Sequence, residues 1–289
     1  MTGVVNALTI DVEDYFQVSA FSGHIARDDW ETLPCRVEAN VDRILELLEQ
    51  HDAHATFFTL GWIAERFPGM IPRIVAGGHE LASHGSDHVR ASEQAYGQFL
   101  ADIRLAKAVL EDVAGHEVKG YRAPSFSIGV KNNWAFDCLV EAGYRYSSSI
   151  YPIRHDHYGV PDSPRFPHEV RPGLFEVPIS TVRGFNSNWP AGGGGYFRLL
   201  PYRVSRWSLR RINRRDGQSA MFYFHPWEID PEQPRVSGPG RKTMFRHYLN
   251  LTRMQSRLSR LLSDFRWDRV DRAFPEILSA PRQSVLGIG

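Results

Sequence analysis

The chain has 289 residues, 42% hydrophobic and 23% charged, which is ordinary globular usage and excludes a disordered or fibrous chain. Thirty-four Lys and Arg against thirty-three Asp and Glu leave a formal net charge of +1, so no global field gathers nucleic acid, and no nucleic-acid partner is expected. The length suits one α/β barrel, Cys35 and Cys138 read as free thiols, and neither a secretory signal before Asp11 nor a bilayer-spanning apolar run is visible, so a soluble, cytoplasmic protein is expected.

Val4 to Ile10 is a β-branched apolar run that ends at Asp11-Val12-Glu13-Asp14 and reads as a buried strand. Val37, Val41, Ile44, Leu45 and Leu48 recur at helical spacing before a second strand at His54 to Phe58. Helices over 70–76 and 92–113 flank a strand at Glu80 to Ala82, and Val118 to Tyr121 predicts a strand ending at Arg122. A helix over 131–142 and extended segments at Tyr144 to Ser147 and Phe175 to Val177 follow. Residues 152–173, rich in Pro and His, and the flexible stretch Gly192 to Gly195 predict loops at the rim. Ala220 to Phe224 is a late apolar strand that delivers His225. From Lys242 to Phe265 the stripe Leu251, Met254, Leu258, Leu261 and Phe265 predicts one amphipathic C-terminal helix.

Strands alternating with helices predict parallel βαβ units and a barrel, complete or not. Asp11, His84, Arg122 and His225 each follow a predicted strand, which in a parallel barrel gathers them at the C-terminal rim. His84-Gly-Ser-Asp-His88 sets two imidazoles at a spacing that lets both reach one metal ion. A hydrolytic metal also needs an anionic ligand and its water a separate base, and the acids after Ile10 can supply both. Arg122 can hold a base carboxylate ionised, and His225 can protonate a departing nitrogen. Taken singly, each has a plain structural alternative: surface histidines, a helix-capping acid, a structural salt bridge, a hydrogen-bonded rim histidine. Their joint occurrence carries the chemistry.

Thr9-Ile-Asp11, Ala55-Thr-Phe-Phe58, His84-Gly-Ser-Asp-His88, Arg122-Ala-Pro-Ser-Phe126 and Phe224-His225 stand in the order and spacing of the polysaccharide deacetylases with a NodB-homology domain, carbohydrate esterase family 4, which the chain resembles over roughly residues 4–230. The ending, with His225-Pro-Trp-Glu-Ile-Asp-Pro and Phe245-Arg-His-Tyr-Leu-Asn, resembles the exosortase-associated branch involved in exopolysaccharide production. The resemblance implies a distorted (β/α)7 barrel over residues 1–230 with a helical extension over 231–289, a divalent metal that is usually zinc, and an N-acetylated carbohydrate substrate. It makes Asp11 the catalytic base, His84 and His88 metal ligands, Arg122 the partner that tethers the base, His225 the acid and the Ser125 amide an oxyanion donor.

Two departures accompany it. Val12 stands where many members have a second aspartate, so the acidic metal ligand is Glu13 or Asp14. Ser147 replaces an expected aspartate, so the group that orients the acid histidine is missing or comes from elsewhere. The rival expectations are hydrolysis of another C–N bond, as in allantoinase-like relatives, and a glycan-binding protein whose chemistry has decayed. Trp189 and Trp227 are candidates for stacking on sugar rings, and the arginines from Arg206 to Arg215, like Arg253, Arg257 and Arg260, read as a solvated helix face ahead of the alternative, attraction of an anionic glycan or membrane-linked precursor.

Overall fold

The computed structural model describes residues 3–156 and 158–279; the end of the predicted extension, residues 280–289, lies outside the described residues. The strands are β1 Val5–Val12, β2 Thr56–Thr59, β3 Glu80–Ser83, β4 Gly120–Tyr121, β5 Tyr146–Ser147, β6 His168–Arg171, β7 Leu174–Glu176, β8 Thr181–Gly184, β9 Ser187–Pro190, β10 Met221–Phe224 and β11 Arg266–Asp268. The main sheet runs β10-β1-β2-β3-β4-β5-β7-β6, parallel except for the β6–β7 pair, with β11 added parallel to the start of β1; β8 and β9 form a separate hairpin. Around it lie α1 Val37–Gln50, α2 Gly61–Arg66, α3 Met70–Ala76, α4 Tyr96–Ala114 and α5 Ala135–Glu141, then α6 Gly194–Leu199, α7 Tyr202–Arg211, α8 Arg241–Tyr248, α9 Met254–Asp264, α10 Val270–Ala273 and α11 Glu276–Ser279. The fold is the expected distorted α/β barrel, curled and left open between its edge strands β6 and β10.

That gap is crossed by irregular chain rather than by a strand. Ile179 N donates to Ile150 O at 3.1 Å, Ala191 N to Ser180 O at 3.0 Å, and Tyr223 N to Gly192 O at 3.1 Å. The expectation that Gly192 to Gly195 form a flexible loop is corrected here, because Gly192 to Gly194 make room for close neighbours and Gly194 and Gly195 open α6. A Cβ on Gly192 would meet Met221 O at 2.1 Å, and one on Gly194 would meet Glu228 Oε1 at 2.1 Å. The single helix expected over 242–265 is likewise two, α8 and α9, divided at Asn250, which takes the left-handed conformation at φ 53°. The apolar stripe survives the break: Leu251, Met254, Leu258 and Leu261 are all buried.

Pairing register places the site. Val12, Thr59, Ser83, Tyr121, Ser147 and Glu176 lie side by side across β1, β2, β3, β4, β5 and β7, and Ile10 pairs with Phe224 of β10. The residues just beyond that row, among them Glu13, His84 and Arg122, therefore emerge on one rim, and Asp11 stands beside His225.

Candidate active site

Glu13, His84 and His88 converge so that one ligand atom from each lies within 4.8 Å of the others. His84 Nδ1 donates to the Arg122 carbonyl oxygen at 2.8 Å, which fixes the ring and leaves Nε2 free to bind a cation. Burial holds the His84 imidazole at a pKa of about 4, against a smaller upward pull from Asp11, so it is neutral as a ligand must be. His88 reaches the group through a turn in which Gly85 and His88 both have positive φ, 80° and 56°. Asp102 of α4 braces this turn by accepting the Ser86 N–H at 3.2 Å, and a side chain on Gly85 would press on that carboxylate.

His88 Nε2 lies 2.7 Å from Glu13 Oε2, yet this buried oxygen has no aligned hydrogen-bond donor. Two ligand atoms that are close but not hydrogen-bonded, with a neutral buried imidazole beside them, fit a divalent cation. Burial would raise the Glu13 carboxyl, but His88, His225 and His84 together bring it down to about 2.

Asp11 is tethered by Arg122. Arg122, fully buried, donates from Nη1 to Asp11 Oδ1 at 2.5 Å and to Thr9 Oγ1 at 2.9 Å. Its Nε and Nη2 donate to the carbonyl and hydroxyl oxygens of Ser148 at 3.0 and 2.8 Å, so the fork cannot swing away.

His225 faces both acids, its Nε2 3.4 Å from Glu13 Oε1 and 3.9 Å from Asp11 Oδ2. Its other nitrogen, Nδ1, lies 2.8 Å from Glu228 Oε1, and Glu228 Oε2 accepts from Arg198 Nε at 2.6 Å. Burial would lower the His225 pKa, but Glu13, Glu228 and Asp11 carry it up to about 9. Glu228, itself opposed by burial, is held ionised at about 2 by Arg198 and His225. Trp227 is buried, stacked between His225 and His247 at 5.1 and 4.1 Å, and its Nε1 donates to Glu13 Oε1 at 3.3 Å. A sugar cannot stack on it.

The structure does not bring Asp14 to this group. Both of its oxygens are taken by backbone N–H groups: Tyr15 at 2.8 Å on one, Arg36 at 2.5 Å and Val37 at 2.9 Å on the other, where α1 begins. Burial raises its pKa to about 6. Ser125, three residues after Arg122, lies in the left-handed region at φ 54°, with its hydroxyl 2.6 Å from that of Ser19. Ser147 turns to the Ser149 hydroxyl at 2.8 Å and has no contact with His225. The orienting carboxylate comes instead from Glu228, which sequence reading passed over; its signal is the three-residue spacing in His225-Pro-Trp-Glu228.

Residues 28–147 match the family described as Polysaccharide deacetylase, and residues 148–275 match a Domain of unknown function (DUF3473). His84, His88, Arg122 and Ser125 lie in the first match, and His225 and Glu228 lie in the second. It is 29% identical over 102 residues to a peptidoglycan-N-acetylglucosamine deacetylase of Bacillus cereus, covering 35% of this chain and 37% of that one. A chitooligosaccharide deacetylase of Azorhizobium caulinodans is 32% identical over 82 residues, 28% of this chain and 39% of that one. The chain thus spans less than half the length of these curated relatives. A crystal structure from Mycobacterium smegmatis assigned to the polysaccharide deacetylases shares the fold, with a TM-score of 0.62 at 19% identity over 98% of this chain and 94% of that one.

Proposed function

We propose that this protein is a metal-dependent N-deacetylase that hydrolyses acetyl groups from sugar units of a polysaccharide or its precursor, in exopolysaccharide production. The observation that carries the proposal is the approach of His225 Nε2, 3.4 Å from Glu13 Oε1, to the Glu13, His84 and His88 group beside the tethered Asp11. The names of the relatives from Bacillus cereus and Azorhizobium caulinodans support the substrate class. The barrel lies within residues 1–230 in this proposal, and the segment after 230 is an extension that packs on it and adds β11 to its sheet.

Glu13, His84 and His88 would hold the divalent ion, zinc by the chemistry of its donors, which when bound polarises the acetyl carbonyl and acidifies a water molecule. Asp11 accepts the proton of the attacking water, and Arg122 keeps that carboxylate ionised and aimed. The Ser125 amide donates to the developing oxyanion, a contribution of roughly 3 kcal/mol per donor in comparable sites. His225 then gives the Nε2 proton to the sugar nitrogen, so that a neutral amine leaves. Glu228 fixes the Nδ1–H tautomer that makes this delivery possible.

The test is acetate release from N-acetylated chitooligosaccharides by zinc-loaded protein, with a chelator control and cyclic ureides alongside. Release that the chelator stops and zinc restores is expected. Glycan binding without any release, or turnover of the ureides alone, would replace this function with a rival.

A further inference from the structure

One face of the molecule takes no part in this chemistry. From Val177 to Arg215 the chain carries eight arginines and not one aspartate or glutamate, in a molecule whose net charge is +1. Arg198 and Arg206 are used internally, against Glu228 and Asp264. Among the described residues no ion pair engages Arg183, Arg203, Arg210, Arg211, Arg214 or Arg215.

The same stretch exposes large apolar side chains. Phe185 is 100% exposed, Trp189 57% and Trp207 56%, with Leu199 and Val204 nearby. They flank an open groove of about 1130 Å³ between the β8–β9 hairpin and α7. On α7, Arg203, Trp207, Arg210 and Arg211 fall at the three- and four-residue spacings that share one helix face, and the Arg211 guanidinium lies 5.5 Å from the Trp207 ring.

The hairpin tip is costly as built. Phe185 and Asn186 both have positive φ, 49° and 57°, in a two-residue turn of the kind that favours Asn-Gly. A bulky aromatic in left-handed backbone, wholly in solvent, gains nothing from the fold and is strained.

We propose that this face docks on an anionic lipid bilayer, with Phe185, Trp189 and Trp207 entering the headgroup region and the unpaired arginines meeting acidic lipids. Protruding aromatics beside unneutralised arginines are the composition that interfacial binding requires. An anionic glycan would use the charge but leaves the strained, projecting Phe185 unexplained. α6 runs from Gly194, packed on Glu228, to Leu199 at the groove, so docking holds the active site close to the lipid surface.

The experiment is co-sedimentation of the full chain with vesicles of phosphatidylcholine containing phosphatidylglycerol, against phosphatidylcholine alone, at low and high salt. Binding only to the acidic vesicles, weakened by salt and accompanied by a blue shift of tryptophan fluorescence, is expected. Phe185→Asn, which suits the turn and should fold at least as well, and Trp207→Ser should together lower binding roughly tenfold or more. Acetate release from soluble oligosaccharide should be unchanged. Protein that stays in the supernatant, variants that sediment like the parent, or retention by alginate without binding to vesicles would each overturn the proposal.

Discussion

Glu13, His84 and Arg122 are presented by backbone: each is the first residue beyond a strand whose register with its neighbour is fixed by main-chain pairing. His225 also follows a strand, but its aim rests on side chains, through Glu228 to Arg198 and by stacking through Trp227 to His247. Arg198 is in turn held by the carbonyl oxygens of Arg246, His247 and Leu249, at 3.2, 2.8 and 2.7 Å. One half of the site inherits its geometry from the sheet, and the other borrows it from a chain of contacts. The first should fail only when a reacting group itself is removed, whereas the second should be vulnerable at a distance.

The largest effect is expected in the sheet-built half. Asp11→Asn should lower the rate of acetate release by roughly 10³-fold or more while zinc content, measured on purified protein, stays near that of the parent. His84→Ala should lose both. If Asp11→Asn kept normal turnover, the base would have to be sought elsewhere.

In the borrowed half, Glu228→Gln should keep the metal yet lower kcat by about 10²-fold, because the acid histidine loses its carboxylate partner. The pH profile is the more telling readout. Without Glu228 the His225 pKa should drop, so the alkaline limb of kcat should move to lower pH, a shift that a purely structural role for Glu228 would not produce.

The smallest effect lies at the seam. Glu176 on β7 accepts the Ser149 and Ile150 N–H groups at 2.9 and 2.8 Å, next to the Ser148 that anchors Arg122, while its other oxygen is buried without a partner. Burial raises its pKa from 4.5 to about 7. A carboxyl raised in the folded state stabilises fully below its unfolded pKa, and that contribution is lost as pH rises through the folded one. The parent should therefore lose stability between pH 4.5 and about 7, and Glu176→Gln, in which Asp14 still titrates, should lose less over that window by up to roughly 3 kcal/mol. Denaturant titrations across that window would decide it; parallel curves for the two proteins would mean that Glu176 does not titrate there.

The rim residues were legible because each stands at the end of an apolar β-rich run, and a parallel sheet sends all such ends one way. Glu228 was not, because an acid three residues beyond a histidine and two beyond a proline reads as an ordinary helix-start residue. Arg198 is joined to it only by packing across the fold. The choice between Glu13 and Asp14 turned on where α1 begins, since its unpaired N–H groups claim Asp14. Gly192 to Gly195 misled for a related reason: the absence of a side chain serves mobility or close packing equally well. Periodicity located the stripe of α9 but is blind to one left-handed residue at position 250.

The stacking of late segments on early ones has a temporal side. During synthesis, Glu13, His84, His88 and Arg122 leave the ribosome well before the carbonyls at 246, 247 and 249 that seat Arg198. β1 must meanwhile wait for two of its sheet neighbours, β10 and β11, which are made last. In the proposed function, the nascent chain holds its cation ligands before its proton donor is supported, and the hydrolytic pair is armed only after residues 246–249 have been made.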